Sequence, residues 1–136
     1  SADLLHWGDH RHLAGCRTGQ AWECRKIGAG APPVRIAEGW LVLYHGVDAQ
    51  ERYSMGALLL DGAHPGRVLA RTREPLFVPK TEYEKNGFFS DTVFPCAAWV
   101  EHGGNGDVVP VYYGAADKSV CRAVIPLDSI REGLKA

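Results

Sequence analysis

Lys26 heads a glycine-rich stretch, Gly28-Ala29-Gly30. Glycines let backbone N–H groups approach an anion, and a lysine adds a compact positive charge. The stretch therefore fits an anion contact, and it equally fits a surface lysine beside a turn. His45 closes an apolar run and precedes Gly46; a histidine there serves either as a structural hydrogen-bonder or as a group that handles a ligand. Asp117 follows Tyr112-Tyr113-Gly114 in a loop, where an aspartate commonly bonds its own backbone. Tyr44, Tyr112 and Tyr113 can pack against a ligand or fill a core. Strand alternation points Tyr44 and Tyr112 away from the side of His45 and Tyr113, and we expect those two in the core. His6, His10, His12 and Cys16 crowd one short segment. Zinc needs ligands that converge in space with outer-shell support; closeness in sequence supplies neither, so no metal site is assigned.

These residues need strands to hold them. Short apolar runs rich in Val, Leu, Tyr and Trp, punctuated by 16 glycines and 8 prolines, fit half-buried strands. The strand expectations are Trp40–Tyr44, Ala57–Leu60, Ala97–Val100, Val108–Tyr113 and Cys121–Ile125. Helical periodicity is weak throughout, save for a short helix after Pro126. An internal repeat is visible as well. Trp40-Leu-Val-Leu-Tyr44-His45-Gly46 is followed by Ala57-Leu-Leu-Leu-Asp61, and Val109-Pro-Val-Tyr112-Tyr113-Gly114 by Ala123-Val-Ile-Pro-Leu127-Asp128, with Tyr44 and Tyr112 68 residues apart. Proline-marked strands, Pro32-Pro33-Val34 and Phe94-Pro95-Cys96, precede the two copies. The pattern suits blades of a β-propeller and also suits two hairpins of a β-sandwich.

The chain has 136 residues, 46% hydrophobic and 23% charged, which suits a packed domain and excludes disorder. Fifteen basic and sixteen acidic side chains leave a net charge of −1, so no basic face for nucleic acid is expected. No apolar run reaches the roughly eighteen residues of a membrane helix, and the N-terminus lacks a secretory pattern. A cytoplasmic protein with its four cysteines reduced is the expectation.

Several stretches, in order, resemble glycoside hydrolase family 130. They are Asp3-Leu4-Leu5-His6-Trp7; Lys26 through Pro32-Pro33-Val34; Glu38-Gly39-Trp40 through His45-Gly46-Val47; Tyr53 through Asp61; and Arg67 through Leu76. Glu82 through Phe88, Val93-Phe94-Pro95-Cys96 and Tyr112 through Asp117 complete the series. Departures are Ala31 where the family tends to have Pro, Asp91-Thr92 where it has Asn-Val, and Ala97 where it has Gly. The resemblance implies an all-β, five-bladed propeller acting on β-mannosides, with phosphorylases and hydrolases among its members. It makes residues 1–136 a single partial propeller domain, about two four-stranded blades, with a blade repeat at roughly 26–75 and 88–130. It implies a C-terminal part whose general-acid aspartate lies outside the chain, so no catalytic residue is assigned here.

By the same resemblance, Lys26 and His45 match phosphate-binding positions. Asp117 matches a ligand of mannosyl hydroxyls, with Tyr113 and Asp91 at the sugar-binding face. Asp91 brings a negative charge where the family has a neutral amide. Inorganic phosphate is the expected co-substrate, no cofactor is expected, and the partner is a β-mannoside or related oligosaccharide. Water-driven cleavage would need a pair of carboxylates, and no obvious pair stands out. The expected function is part of a β-mannoside phosphorylase, contributing phosphate and sugar contacts and incomplete alone. The alternative is a non-catalytic carbohydrate-binding or remnant module that assembles as an oligomer. Because two blades leave faces uncovered, a homo-oligomer is expected, with Trp7, Leu41, Leu43 or Trp99 at its interface.

Overall fold

The computed structural model describes residues 1–8, 10–104 and 106–135. Its first sheet contains β1 (Lys26–Ala29), β2 (Val34–Ile36), β3 (Gly39–Val47), β4 (Tyr53–Leu60) and β5 (Val68–Arg71). β3 and β4 form the expected hairpin, with Trp40 opposite Leu60 and Val47 opposite Tyr53. β1 and β2 lie end to end along the other side of β3, so five segments fill four strand positions. The break between them contains Pro32 and Pro33, which have no N–H to give a ladder. At its start the Gly30 N–H donates to the Leu43 carbonyl at 3.2 Å. A Cβ on Gly30 would stand 2.4 Å from the ring of Pro95 in the second sheet, so glycine is what lets the sheets approach here.

The second sheet runs β6 (Val93–Ala98), β7 (Val108–Ala115) and β8 (Ser119–Pro126), and among the described residues it has these three strands. The strand expected at Ala97–Val100 is displaced toward the N-terminus. It bulges between Pro95 and Ala97, next to a proline that cannot donate to the ladder. The helix expected after Pro126 is α2 (Leu127–Lys135). Its Leu127, Ile130 and Leu134, at helical spacing, join the core, and Arg131 ties it to Glu38 at 2.7 Å. One further turn, α1 (Glu82–Lys85), has no periodic signal in the sequence.

The core lies between the two sheets. Leu41, Leu43, Met55 and Ala57 of the first sheet meet Val93, Val109, Val111, Tyr113 and Ala115 of the second. Full burial of one such leucine stabilises by roughly 1.5–3 kcal/mol. Two expectations are corrected by this packing. Leu41 and Leu43 are buried between the sheets and offer nothing to a second copy, whereas Trp7 and Trp99 are exposed. Tyr112, expected in the core, is 40% exposed and stacks on Trp99 with ring centroids 5.8 Å apart. Alternation separates the faces of β7 as expected, but the face that meets the first sheet carries Tyr113. Tyr44, by contrast, is buried.

Candidate functional site

Lys26, His45, Asp91 and Asp117 come to one end of both sheets, where β1 and β6 begin and β3 and β7 finish. His45 sits opposite Gly28 in the β1–β3 ladder. Its ring lies across that glycine so closely that a Cβ there would fall 2.4 Å from Cε1. Tyr53 stacks on the ring at 5.5 Å and Phe94 tilts over it at 4.4 Å. His45 is 4% exposed, and neither Nδ1 nor Nε2 has a hydrogen-bond partner. Burying such a group unpaired costs about 1–3 kcal/mol, which is why buried polar atoms are almost always satisfied. Burial first, and then the charge of Lys26, push the imidazole down to about 4, so it is neutral near pH 7. The Lys26 ammonium lies 5.6 Å from the centroid of Tyr53. Lysine and histidine thus share one aromatic neighbour.

The loop from Gly87 to Thr92 links this corner to the turn that carries Asp117. The Tyr53 N–H donates to the Asp91 carbonyl at 2.9 Å on one side. On the other, the Phe89 N–H donates to the Ala116 carbonyl at 3.1 Å, and the Ala116 N–H to the Thr92 carbonyl at 3.0 Å. Gly87 passes Ala116 so tightly that a Cβ would stand 2.2 Å from its carbonyl oxygen. Ala116 and Asp117 are both left-handed, with φ of 49° and 51°, and Lys118 N–H closes the turn on Ala115. A non-glycine residue held this way costs about 1 kcal/mol or more, so the docked loop is what holds Asp117 where it stands. Asp91 is left-handed too, at φ 50°.

Tyr113 is buried, and its hydroxyl donates to Glu84 at 2.8 Å. The other carboxylate oxygen of Glu84 accepts the N–H groups of Lys80 and Thr81 at 2.7 and 2.8 Å. Burial works against ionisation of Glu84, but these donors outweigh it and hold the carboxyl below its ordinary range. Tyr113 therefore fastens α1, and with it the start of the 87–92 loop, and its hydroxyl does not face solvent.

Sequence reasoning missed Glu23. It sits in a 3-10 turn, Ala21–Glu23, beneath the face of β3 opposite His45, and is 0% exposed. Arg17 Nε bonds one carboxylate oxygen. Tyr44 Oη and Arg71 Nη2 donate to the other, at 2.6 and 2.5 Å. Arg71 also reaches Tyr44 Oη at 3.0 Å and the Gly15 carbonyl at 2.8 Å. Nothing in the spacing of Arg17, Glu23, Tyr44 and Arg71 signals this cluster. The glycines facing Trp22 carry a faint trace of it, since a Cβ on Gly46 or Gly56 would fall 2.5 Å from that indole. Among the described residues, no group of three or more His, Cys, Asp or Glu side chains could hold a metal ion, and His6 pairs with Asp3 at 2.6 Å. No described helix is long and apolar enough to cross a membrane.

A family model described as beta-1,4-mannooligosaccharide phosphorylase matches residues 1–135. The β-1,2-mannobiose phosphorylase of Listeria innocua serovar 6a is 45% identical over 135 residues, covering 99% of this chain and 37% of that protein. The β-1,4-mannooligosaccharide phosphorylase of Ruminococcus albus is 38% identical over 139 residues, 100% of this chain and 40% of the relative. Among solved structures, the Listeria innocua β-1,2-mannobiose phosphorylase in complex with β-1,2-mannobiose superposes with a TM-score of 0.88 at 43% identity, again over 99% of this chain and 37% of the other. A glycoside hydrolase that targets β-1,2-mannosidic linkages in Candida mannan superposes at 0.62 with 30% identity, covering 72% and 29% of the two chains. The chain thus spans little more than a third of the length of the phosphorylases it matches, and its two open sheets are a partial β-propeller.

Proposed function

Because the chain belongs to glycoside hydrolase family 130, we propose that it forms part of a β-mannoside phosphorylase and contributes phosphate- and sugar-binding residues. The observation that carries this reading is His45, buried beside Lys26 with two unpartnered ring nitrogens. Polar atoms left unpaired at such a cost suit a site built for a ligand. In phosphorolysis a phosphate oxygen bonds to the anomeric carbon of the mannosyl group as the glycosidic C–O bond breaks. The departing sugar oxygen takes a proton, and mannose 1-phosphate is released. Lys26 supplies positive charge to the dianion, and neutral His45 donates one N–H to it. Held this way, the nucleophile meets the anomeric carbon in line without an entropic search.

Asp117 and Asp91, acceptor-only when ionised, take hydroxyl protons of the mannosyl group. Tyr113 works on the sugar-binding face through Glu84 rather than by touching sugar. A cytoplasmic location, with inorganic phosphate at hand, and self-association through the exposed Trp7 and Trp99 belong to the same reading. Thermal melts test it. Millimolar phosphate is expected to raise the midpoint relative to chloride at matched ionic strength, because a ligand that binds only the folded state stabilises it by mass action. Lys26→Ala and His45→Ala should each shrink the shift. Run across a dilution series, the same melts read self-association as a midpoint that climbs with protein concentration. A wild-type midpoint indifferent to phosphate would remove the phosphate site.

A further inference from the structure

Lys26 carries its charge on a flexible four-carbon stem, so the place of its ammonium follows from the place of its backbone. That backbone is weakly held by its own strand. β1 has four residues and is paired with β3 on one side and, among the described residues, with no strand on the other. Short edge segments open locally at low free energy. Lys26 is the first residue of β1, opposite Val47, and the Arg25 N–H extends the pairing by one bond, to the Val47 carbonyl at 3.1 Å. The Arg25 side chain pairs with Glu51 at 2.7 Å, but both partners are more than half exposed, and such pairs add little.

A firmer hold lies just before it in the chain. The 3-10 turn Ala21–Glu23 presses on β3 directly after His45, where a Cβ on Gly46 would stand 2.5 Å from Trp22 and 2.7 Å from the Glu23 Cβ. The Trp22 indole N–H donates to the Arg73 carbonyl at 2.8 Å. Glu23 is wholly buried, with Arg17 on one carboxylate oxygen and Tyr44 and Arg71 on the other. Both arginines are tied in turn to distant backbone, at the Thr72 and Gly15 carbonyls. Cys24 and Arg25 alone separate this anchored residue from Lys26, and three Cα steps reach at most about 11 Å. A turn that shifts therefore carries the start of β1 with it.

We infer that Glu23 is a positioning residue for Lys26: its buried carboxylate anchors the turn from which β1 starts, and so keeps the lysine ammonium beside Tyr53 and His45. That the ammonium is placed for an anion rests on the phosphorylase reading; that Glu23 places it rests on the geometry. The His45 ring reports where the lysine stands, because burial first and then the Lys26 charge hold it down at about 4. The test is the protonation of His45 at pH 5, read from ring 15N shifts in histidine-labelled protein and assigned by the signal lost in His45→Phe. The phosphate-induced rise in melting midpoint is measured beside it. The wild-type ring should be largely neutral. Lys26→Ala should raise its charged fraction severalfold. Glu23→Gln keeps the shape but turns an N–H toward a donor, and it should act in the same direction. The double variant should go no further than Lys26→Ala alone, since both changes act through one ammonium. Arg17→Ala removes a partly exposed partner of the same carboxylate, so it should act likewise by less, and it carries the test where Glu23→Gln does not fold. The phosphate shift should shrink in each of these proteins. Ile130→Ala truncates the core from α2, which follows the end of β8 away from the site, and should lower stability while leaving both readouts unchanged. A Glu23→Gln or Arg17→Ala protein that melts lower while His45 stays neutral overturns the inference and leaves Glu23 a part of the fold alone. So does an unchanged ring in Lys26→Ala, or a double variant in which the two effects add. Phosphate separates this inference from the reading beneath it. No phosphate shift in the wild type, with the His45 changes as stated, keeps the positioning and removes the phosphate site. A phosphate shift as large in Glu23→Gln as in the wild type sinks the positioning alone.

Discussion

Tyr44 and His45 are neighbours on one strand, yet their side chains meet opposite surroundings. Beneath Tyr44, the buried Glu23 carboxylate receives Arg17, Arg71 and the tyrosine hydroxyl itself. Burial pushes that hydroxyl up to about 12, so it stays protonated as the donor. Beside His45, two buried nitrogens meet no partner at all. One face satisfies its polar groups within the fold; the other leaves two ring nitrogens unpaired. Because the two residues share a backbone segment, strand formation and sheet register cannot explain the difference. What differs is the covering layer. Trp22, Glu23 and two arginines cover the Tyr44 face and bring it charged partners, whereas the His45 ring meets aromatic rings without a polar partner.

The largest effect of a single substitution is expected at Glu23, on the satisfied face. Glu23→Ala leaves two guanidinium groups in a half-buried setting without their acid, and removing one partner of such a buried pair costs about 3–5 kcal/mol. Chemical denaturation should give that loss, with a correspondingly lower melting midpoint. A cost below about 1 kcal/mol, the size of a surface ion pair, would mean that the network adds little to the fold and that the two faces differ less than their hydrogen bonds suggest.

The next effect is on pH. His45 has a folded value of about 4 against an ordinary 6.5, so between those limits the unfolded chain binds the extra proton. Stability is fully present above pH 6.5 and falls as the pH drops toward 4. The size is about 3 kcal/mol at full development, by linkage. His45→Phe keeps the ring shape, removes the titration and should flatten this share of the slope. At pH 7 it should be neutral or stabilising, since an unpaired polar ring is replaced by an apolar one, and phosphate should no longer raise its midpoint. Equal slopes for the two proteins would place the acid sensitivity elsewhere.

The smallest effect tests the His45 face by geometry alone. Gly28→Ala puts a methyl group into the space of the His45 ring, and overpacking of this kind costs about 1–3 kcal/mol. The imidazole must turn away, so the phosphate-induced shift should vanish while the Glu23 network stays whole. An alanine variant that retains the full phosphate response would show that the histidine need not lie where the fold holds it.

Much of this molecule can be read from the order of its residues. The two hairpins, β3–β4 and β7–β8, announce themselves as matching apolar runs, and the tail after Pro126 as a helix. Lys26, His45, Asp91 and Asp117 stand out in the sequence by residue type and by the motifs around them, and the strands carry them to one end of the two sheets. Period-two alternation correctly sets Tyr44 apart from His45 and Tyr112 apart from Tyr113. It cannot say which side is covered. In β3 the face away from the second sheet is roofed by the 14–24 segment, so Tyr44 is buried; in β7 Tyr112 on the corresponding face meets the half-exposed Trp99 and stays exposed. Alternation is a property of one strand, whereas cover is supplied by residues far along the chain. Glu23 bonds partners 21 and 48 positions away, and no local spacing encodes such a meeting. The left-handed turn is of the same kind at Ala116, whose residue type, unlike the aspartate after it, does not favour that backbone. Gly87, Phe89 and Thr92 impose it from a different loop, through contacts that exist only once both sheets have packed.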